Sequence, residues 1–350
     1  MNYAIILAGG IGSRFWPLSR ENRPKQLLNL YSGKPMIDEA VRRIITLIPA
    51  ERIYIATNKI LSKEIKCRAE SLSIPLENIL FEPEGRNTFA PIAYLTKVIY
   101  DSDPEAVITV LPCDHLVKNK GLFLKLLKDA AVISELGLIV TLGAKPSRPE
   151  TGYGYIKVKR GKDKSAKARF YEVDKFTEKP GLKKAKVFLK DKGYYWNCGI
   201  FVFRADCLLG EIREIIPSAY KTLMKISRTQ LLKGWDELPA NSIDYAIMEK
   251  TKKAALLPAD FGWSDLGSWE AIEGILKKDK QGNIYRGNCI SLGDKNSLVW
   301  SEKGVVASIG LENIIVVNTE DALLVCRKDL SQEVKKVVRI LKSRRIGQRI

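Results

Sequence analysis

The chain opens on a short apolar run, Tyr3–Leu7, that passes directly into Ala8-Gly9-Gly10-Ile11-Gly12-Ser13-Arg14. A buried strand that ends in closely spaced glycines suits an anion. Glycines let backbone N–H groups approach it, and Arg14, Arg20, Arg23 and Lys25 follow to neutralise it. A glycine-rich turn with solvated cations accounts for any one of these residues but poorly for the whole run. The segment therefore predicts a polyphosphate site at the end of the first strand.

Two common glycine loops are excluded. A dinucleotide fingerprint counted from Gly10 needs glycine where Phe15 stands, and a bulky side chain there spoils close helix–strand packing. A Walker A loop needs Gly-Lys-Ser/Thr, which these glycines lack. What remains is Gly-Gly-x-Gly-x-Arg with a lysine, Lys25, further along.

The first two-thirds of the chain alternates β-rich runs with amphipathic stretches. Strands are expected at Tyr3–Leu7, Ile53–Ala56, Ile79–Phe81, Val107–Leu111 and Ile139–Leu142. Helices are expected at Met36–Leu47, Ser62–Leu72, Thr88–Tyr100 and Leu122–Leu136. That order predicts an α/β fold, a Rossmann-like, mainly parallel sheet flanked by helices, with binding groups beyond the C-terminal strand ends. Runs at Tyr155–Val158, Arg169–Phe176 and Gly199–Phe203 read as inserted strands that wall off a second pocket. From Asn283 to Cys326, short β-branched runs separated by Gly, Asn and Asp leave no room for crossover helices, which predicts a small all-β unit, β-helix-like. Leu330, Val334, Val337, Val338 and Leu341 then fall at helical spacing, and the helix reads as a packed amphipathic cap with a solvated basic face, the alternative being a face that touches nucleic acid or membrane. The expected division is a catalytic domain over 1–268, a connecting helix over 269–281 and a C-terminal β unit with terminal helix over 282–350.

Composition narrows the class. Hydrophobic content of 45% and charged content of 28% over 350 residues suit a large folded core. No apolar run approaches the roughly 20 residues that span a bilayer, and the first strand starts at once, so a cytoplasmic protein is expected. Six cysteines are scattered without a C-x-x-C pair, and there is one histidine, so reduced thiols are expected rather than a zinc site. The net charge of +18 fits either a nucleic-acid binder or an enzyme of small polyanions. The basic residues are spread out, denser from Lys335 to Arg349, with no helix-turn-helix, zinc finger or aromatic platform, which argues against nucleic acid.

Two carboxylates stand out. Asp114 follows the strand Val107–Leu111 in Pro112-Cys113-Asp114-His115, and Mg²⁺ favours a few carboxylates with phosphate oxygens and water. Asp265, in Trp263-Ser264-Asp265-Leu266-Gly267, is the candidate second ligand; alone, the segment is an ordinary helix entry capped by Ser268. His115 reads as a loop support, since phosphate oxygens attack without losing a proton. Glu82-Pro83-Glu84-Gly85-Arg86-Asn87-Thr88 is a capped helix start that also suits a purine edge. Gly152 and Tyr153, Glu178 and Lys179, and Asn197 each have a bland reading as a turn or strand end. Together they fit a polyhydroxylated, anionic ligand.

These residues resemble the sugar nucleotidylyltransferases, and within them the bacterial mannose-1-phosphate guanylyltransferases. The resemblance rests on Leu7–Gln26, Glu82–Pro91, Leu111–His115, Thr151–Ile156, Phe176–Pro180, Trp196–Phe201, Ser242–Glu249 and Gly262–Trp269. Ser13-Arg14-Phe15-Trp16-Pro17-Leu18-Ser19 and Pro24-Lys25-Gln26 depart from the Thr-Arg-Leu of the glucose-1-phosphate branch. Phe89 and Cys113 depart from the family's usual alanine at each place.

The resemblance implies a nucleotide-diphospho-sugar transferase fold and a left-handed β-helix at the C-terminus. The implied reaction is mannose 1-phosphate + GTP ⇌ GDP-mannose + diphosphate, with Mg²⁺ on Asp114 and Asp265. Arg14 then grips the departing diphosphate, Lys25 the α-phosphate and Lys179 the mannose phosphate. Glu178, Asn197 and Gly152, beside Tyr153, take sugar hydroxyls. Leu7, Ala8, Gly9, Gly10, Gly12 and Ser13, with Glu82, Arg86, Asn87, Thr88 and Pro112, face the nucleotide. A homodimer through the β unit is implied as well. A phosphomannose isomerase activity, which many bacterial relatives add after the β unit, is not expected. The alternatives are a nucleotidylyltransferase for another hexose or heptose 1-phosphate, and a non-catalytic binder of nucleotide sugars or nucleic acid.

Overall fold

The computed structural model describes residues 1–10, 12–159, 163–164, 169–227 and 234–344. Ile11 and the basic residues after Arg344 lie outside the described residues. The expected elements form close to their expected limits: β1 Asn2–Ala8, α1 Met36–Ile44, β2 Ile53–Asn58, α2 Ser62–Ser71, β3 Ile79–Glu82, α3 Phe89–Tyr100, β4 Val107–Pro112, α4 Lys120–Ser134 and β6 Ile139–Ala144. Two-residue strands lie at Leu116–Val117 (β5), Asp163–Lys164 (β8) and Trp263–Ser264 (β12). Helix starts are fixed locally: the Asn119 side chain accepts from Leu122 N at 3.0 Å at the head of α4.

The chain folds into two compact units that interleave along the sequence. One comprises 1–9, 40–113 and 117–263; the other comprises 10–39, 114–116 and 264–350. The apolar residues of the glycine-loop segment, Phe15, Trp16, Leu18, Leu28 and Leu30, are buried with Trp269 and Trp300.

The first unit is built on a ten-stranded sheet, completed by β7 Tyr155–Val158, β9 Arg169–Thr177, β10 Tyr194–Arg204 and β11 Ala254–Pro258. Its main path runs β3-β2-β1-β4-β10-β6-β11-β9-β7. β1 to β4 are parallel, Ile6 standing opposite Ile55 and Leu111. β10 runs antiparallel to both β4 and β6, so the sheet is mixed at its centre. The run Gly199–Phe203 is thus part of a central strand rather than the wall of an insertion. Its Ile200, Phe201, Val202 and Phe203 are all buried, which satisfies both sheet faces. Helices α3, α6 (Ala205–Ile215) and α7 (Pro217–Lys225) bury Ile92, Leu95, Leu208, Ile212 and Leu223 with Ile108, Val110 and Phe203. A further helix, α5, spans Leu182–Lys190.

In the second unit β13 Ile284–Arg286, β15 Leu298–Ser301 and β17 Ile314–Asn318 stack in parallel, with Ile284, Leu298 and Ile315 in line. β14 Cys289–Leu292 pairs in parallel with β16 Val306–Ile309, and β18 Leu323–Arg327 closes antiparallel on β17. The short α8, Trp269–Glu273, ends well before the expected 281, and α9 spans Val334–Ser343.

Candidate active site

Arg14, Lys25, Asp114 and Asp265 come together in the second unit. With Gly12, Ser13, Phe15, His115 and Gly267 they line a cavity of about 480 Å³. Lys25 is 6% exposed, and its ammonium donates to Asp114 Oδ2 at 2.7 Å and to the backbone carbonyl of Asp265 at 2.8 Å. Arg14 Nη1 donates to the carbonyl of Gly267 at 3.1 Å, and Gly267 N donates to Asp265 Oδ1 at 3.2 Å. Partial burial pushes the Asp114 carboxyl up, but the charge of Lys25, that of His115 and the Lys25 hydrogen bond outweigh it and hold the group below the ordinary carboxylate range.

The loop geometry follows from its packing. Gly12 has φ +69°, and a Cβ there would stand 2.3 Å from Lys25 Cβ, so only glycine lets Lys25 lie where it does. A Cβ at Gly10 would meet nothing within 4 Å, which leaves its backbone open to a ligand. Trp269 braces the loop: its ring meets Phe15 edge-on at 5.3 Å, and its Nε1 donates to Trp16 O at 3.3 Å. Leu266, fully buried, holds φ +46°, a strained value for a branched residue, between the two residues that engage Lys25 and Arg14.

Among the described residues no group of three or more His, Cys, Asp or Glu side chains is placed to hold a metal ion. Two carboxylates and a cavity with room for phosphate oxygens fit Mg²⁺, which needs few protein ligands, better than zinc or copper.

In the first unit, Glu82 ends β3 beside the end of β1. A Cβ at Gly9 would lie 3.3 Å from Glu82 Oε1. Burial pushes the Glu82 carboxyl up to about 7, against the backbone N–H of Arg86 that lowers it. Cys113 N donates to Leu7 O at 3.1 Å, which sets Pro112 beside the end of β1. Arg86 and Thr88 tie this loop to a distant segment, and Asn87 acts locally: Arg86 Nη1 donates to Leu238 O at 2.9 Å, Thr88 Oγ1 accepts from Ile243 N at 3.0 Å, and Asn87 (φ +60°) accepts from Thr88 N.

A third constellation surrounds Glu178, whose side chain is 6% exposed. Its Oε1 binds Lys179 Nζ at 2.8 Å, and its buried Oε2 has no partner among the described residues. Lys179 also holds a left-handed backbone, φ +43°. Asn197 is fixed from several sides: Thr141 Oγ1 donates to its Oδ1 at 3.0 Å, Gly199 N does the same, and its Nδ2 donates to Asp244 Oδ1 at 2.8 Å. Burial, then the charge of Glu178, pushes Asp244 up to about 6. Gly154 is the glycine pressed against this cluster, since a Cβ there would sit 2.5 Å from Glu178 Oε2. The N–H of Gly152 is taken by Glu150, and Tyr153 stacks edge-on against Trp196 and Trp263.

Asp244 and Gly154 were missed by reading residues one at a time. The signal for Asp244 was an acidic residue within the mostly apolar run Ser242–Glu249, which folds as a π-helical turn over Asp244–Met248.

The nucleotidyl transferase family model matches residues 3–282, and a model described as MannoseP isomerase/GMP-like beta-helix domain matches 287–341. The mannose-1-phosphate guanylyltransferase of Salmonella muenchen is 36% identical over 97% of this chain and 73% of its own length. The chain belongs to the mannose-1-phosphate guanylyltransferase family. A further relative, the xanthan biosynthesis protein XanB of Xanthomonas campestris pv. campestris (strain B100), is 38% identical over the same shares. The crystal structure of mannose-1-phosphate geranyltransferase from Thermus thermophilus superposes with a TM-score of 0.88 at 33% identity, covering 97% of this chain and 99% of that one. Within this family the three constellations stand on the motifs by which the sequence resembles it. No helix among the described residues is long and apolar enough to cross a membrane.

Proposed function

We propose that the chain transfers GMP from GTP to α-D-mannose 1-phosphate, giving GDP-mannose and diphosphate, in the cytoplasm. The observation that carries this reading is the convergence of Arg14, Lys25, Asp114 and Asp265 on one cavity. An oxygen of mannose 1-phosphate attacks the α-phosphorus in line and diphosphate leaves, with no covalent enzyme intermediate. Both reactants are anions, so the protein's work is positioning and charge neutralisation. Arg14 grips the diphosphate, and Lys25 neutralises charge at the α-phosphate. Asp114 and Asp265 would hold Mg²⁺, which when bound would screen the phosphate charges.

Leu7, Ala8, Gly9, Gly10, Gly12 and Ser13 offer backbone to the nucleotide, with Pro112 beside them. Glu82 accepts from the base, and Arg86, Asn87 and Thr88 shape its pocket. Lys179 takes the sugar phosphate, and Glu178, Asn197 and Gly152, beside Tyr153, take hydroxyls. The unpartnered Oε2 of Glu178 supports that reading, because a buried carboxylate oxygen costs free energy until a donor reaches it.

The division into a catalytic part over 1–268, a connecting helix over 269–281 and a β unit over 282–350 is our functional reading. It is supported by the two family matches, which meet near 282 to 287. Parallel stacking of β13, β15 and β17 and of β14 and β16 supports a β-helix there. The exposed Ile290, Leu292, Ile309, Leu323 and Val325 on its strands support a homodimer through this unit.

Diphosphate release tests the reaction: GTP with mannose 1-phosphate, against glucose and heptose 1-phosphates and other nucleotides, with Mg²⁺ and with chelator. We expect turnover with GTP and mannose 1-phosphate that chelator abolishes. Faster turnover with another sugar 1-phosphate overturns the sugar assignment, and no release from any pair overturns the enzyme reading.

A further inference from the structure

The cavity that holds Arg14 and Lys25 has an unexpected wall. Lys335, Val338, Arg339 and Lys342, all on α9, line it alongside Gly12, Asp114 and Asp265. Positions 335, 339 and 342 fall on one stripe of a helix. The neighbouring face, Val334 and Val338, is buried in the core that contains Phe15 and Trp16, so α9 is docked on the segment that carries Arg14.

The charges on this wall are unequally compensated. Lys342 is paired with Glu21 at 2.6 Å, as Lys25 is with Asp114. Lys335 is half-buried and is attracted by Glu333, whose carboxylate pairs with Lys336. Arg339 has no ion-pair or hydrogen-bond partner among the described residues. Among the described residues, five cationic side chains thus face two carboxylates in one cavity. Such an excess suits a compact ligand bearing several negative charges, and a guanidinium suits a phosphoryl group because it donates in a planar fork.

We propose that α9 is part of the phosphate site, with Lys335 and Arg339 binding the diphosphate that leaves in the reaction and the same two phosphoryl groups while they belong to GTP. The proposal rests on the guanylyl-transfer reading above. The basic face of the last helix is then a working wall of the cavity, and part of the chain's positive charge has a local use.

The test is calorimetric titration of the full chain with inorganic diphosphate and Mg²⁺, in the absence of sugar and nucleotide. Arg339→Gln is expected to weaken binding about tenfold, the usual scale for one charge-assisted contact, and Lys335→Gln with Arg339→Gln more than that. Lys336→Gln removes the same charge from a residue outside the cavity and is expected to bind as the parent does. Arg339→Lys is expected to restore most of the affinity, and all variants are to be compared at matched melting temperature. In turnover, Arg339→Gln is expected to raise KM for GTP and leave KM for the sugar phosphate unchanged. Equal diphosphate affinity in the parent, R339Q and the double variant overturns the proposal, as does a loss in K336Q equal to that in R339Q. Absence of diphosphate binding by the parent overturns it too. Because the titration contains no sugar, a wrong sugar assignment leaves its outcome unchanged.

Discussion

Lys25 Nζ stands 2.7 Å from Asp114 Oδ2 while also donating to the backbone of Asp265, so one ammonium ties together both carboxylate loops of the cavity. Lys25 is almost fully buried, whereas Asp114 is 36% exposed. Lys25→Gln is expected to lower turnover at least about 10²-fold, the usual cost of one preorganised electrostatic contact. Asp114→Asn is expected to lose as much, and to cost about 1–2 kcal/mol of folding stability, less than a fully buried pair because water screens the carboxylate. The carboxyl titrates below its ordinary range, so its stabilisation is complete above the unfolded value and is lost only as pH falls through the lowered one. Denaturant titrations from pH 2 to pH 7 should show that acid limb in the parent and not in D114N; identical profiles would remove the pair from the account.

Gly12→Ala should be the most damaging single methyl in the loop. Alanine at φ +69° is strained, and its Cβ would overlap Lys25 Cβ at 2.3 Å. We expect a loss of at least about 2 kcal/mol in unfolding free energy, with turnover down by about 10²-fold because Lys25 must move. Gly10→Ala, whose Cβ meets nothing, is expected to fold like the parent and to raise KM for GTP. Comparable melting of G10A and G12A would refute the packing argument.

Glu82 makes stability fall with pH in a defined window. Its folded carboxyl titrates near 7, raised mainly by burial, so the folded chain binds that proton more tightly than the unfolded one. The stabilisation is present below about pH 4.5, the unfolded value, and is lost as pH rises through about 7. The difference between the parent and Glu82→Gln should change by about 3 kcal/mol across that range. A constant difference from pH 4 to pH 8 would show that Glu82 ionises normally.

Much of this was legible in the sequence because local patterns carried it. The parallel strands β1 to β4 read as apolar runs, and the glycines and cations of 9–25 read as an anion loop. Asp114 stood out because it follows the strand Val107–Leu111, and Asp265 only because it could complete a metal site with Asp114. The central place of β10 was not legible, since strand order depends on pairings across more than 90 residues, such as Phe201 with Val110. The basic face of α9 read as solvated, and Lys336, Arg339 and Lys342 are exposed there. Helical spacing shows which residues share a face, but only packing shows that Lys335 and Arg339 line the cavity of Arg14.

Asp244 is the residue whose role depends most on its neighbours. Its Oδ1 accepts from Asn197 Nδ2, while Thr141 and Gly199 hold Asn197 Oδ1, so the Asn197 amide has one orientation. Beside it, Glu178 keeps a buried Oε2 without a partner among the described residues. Asp244→Ala releases the amide and is expected to raise KM for mannose 1-phosphate at least about tenfold, with KM for GTP changed less than about twofold. Asp244→Asn retains an oxygen acceptor and should lose less. Burial and the Glu178 charge raise the Asp244 carboxyl to about 6, so its stabilisation is present below the ordinary value and lost as pH rises through 6. D244N should therefore lack the decline in stability between pH 4 and pH 6 that the parent shows. If D244A leaves the KM for the sugar phosphate unchanged while lowering stability alone, Asp244 serves the fold and not the sugar site.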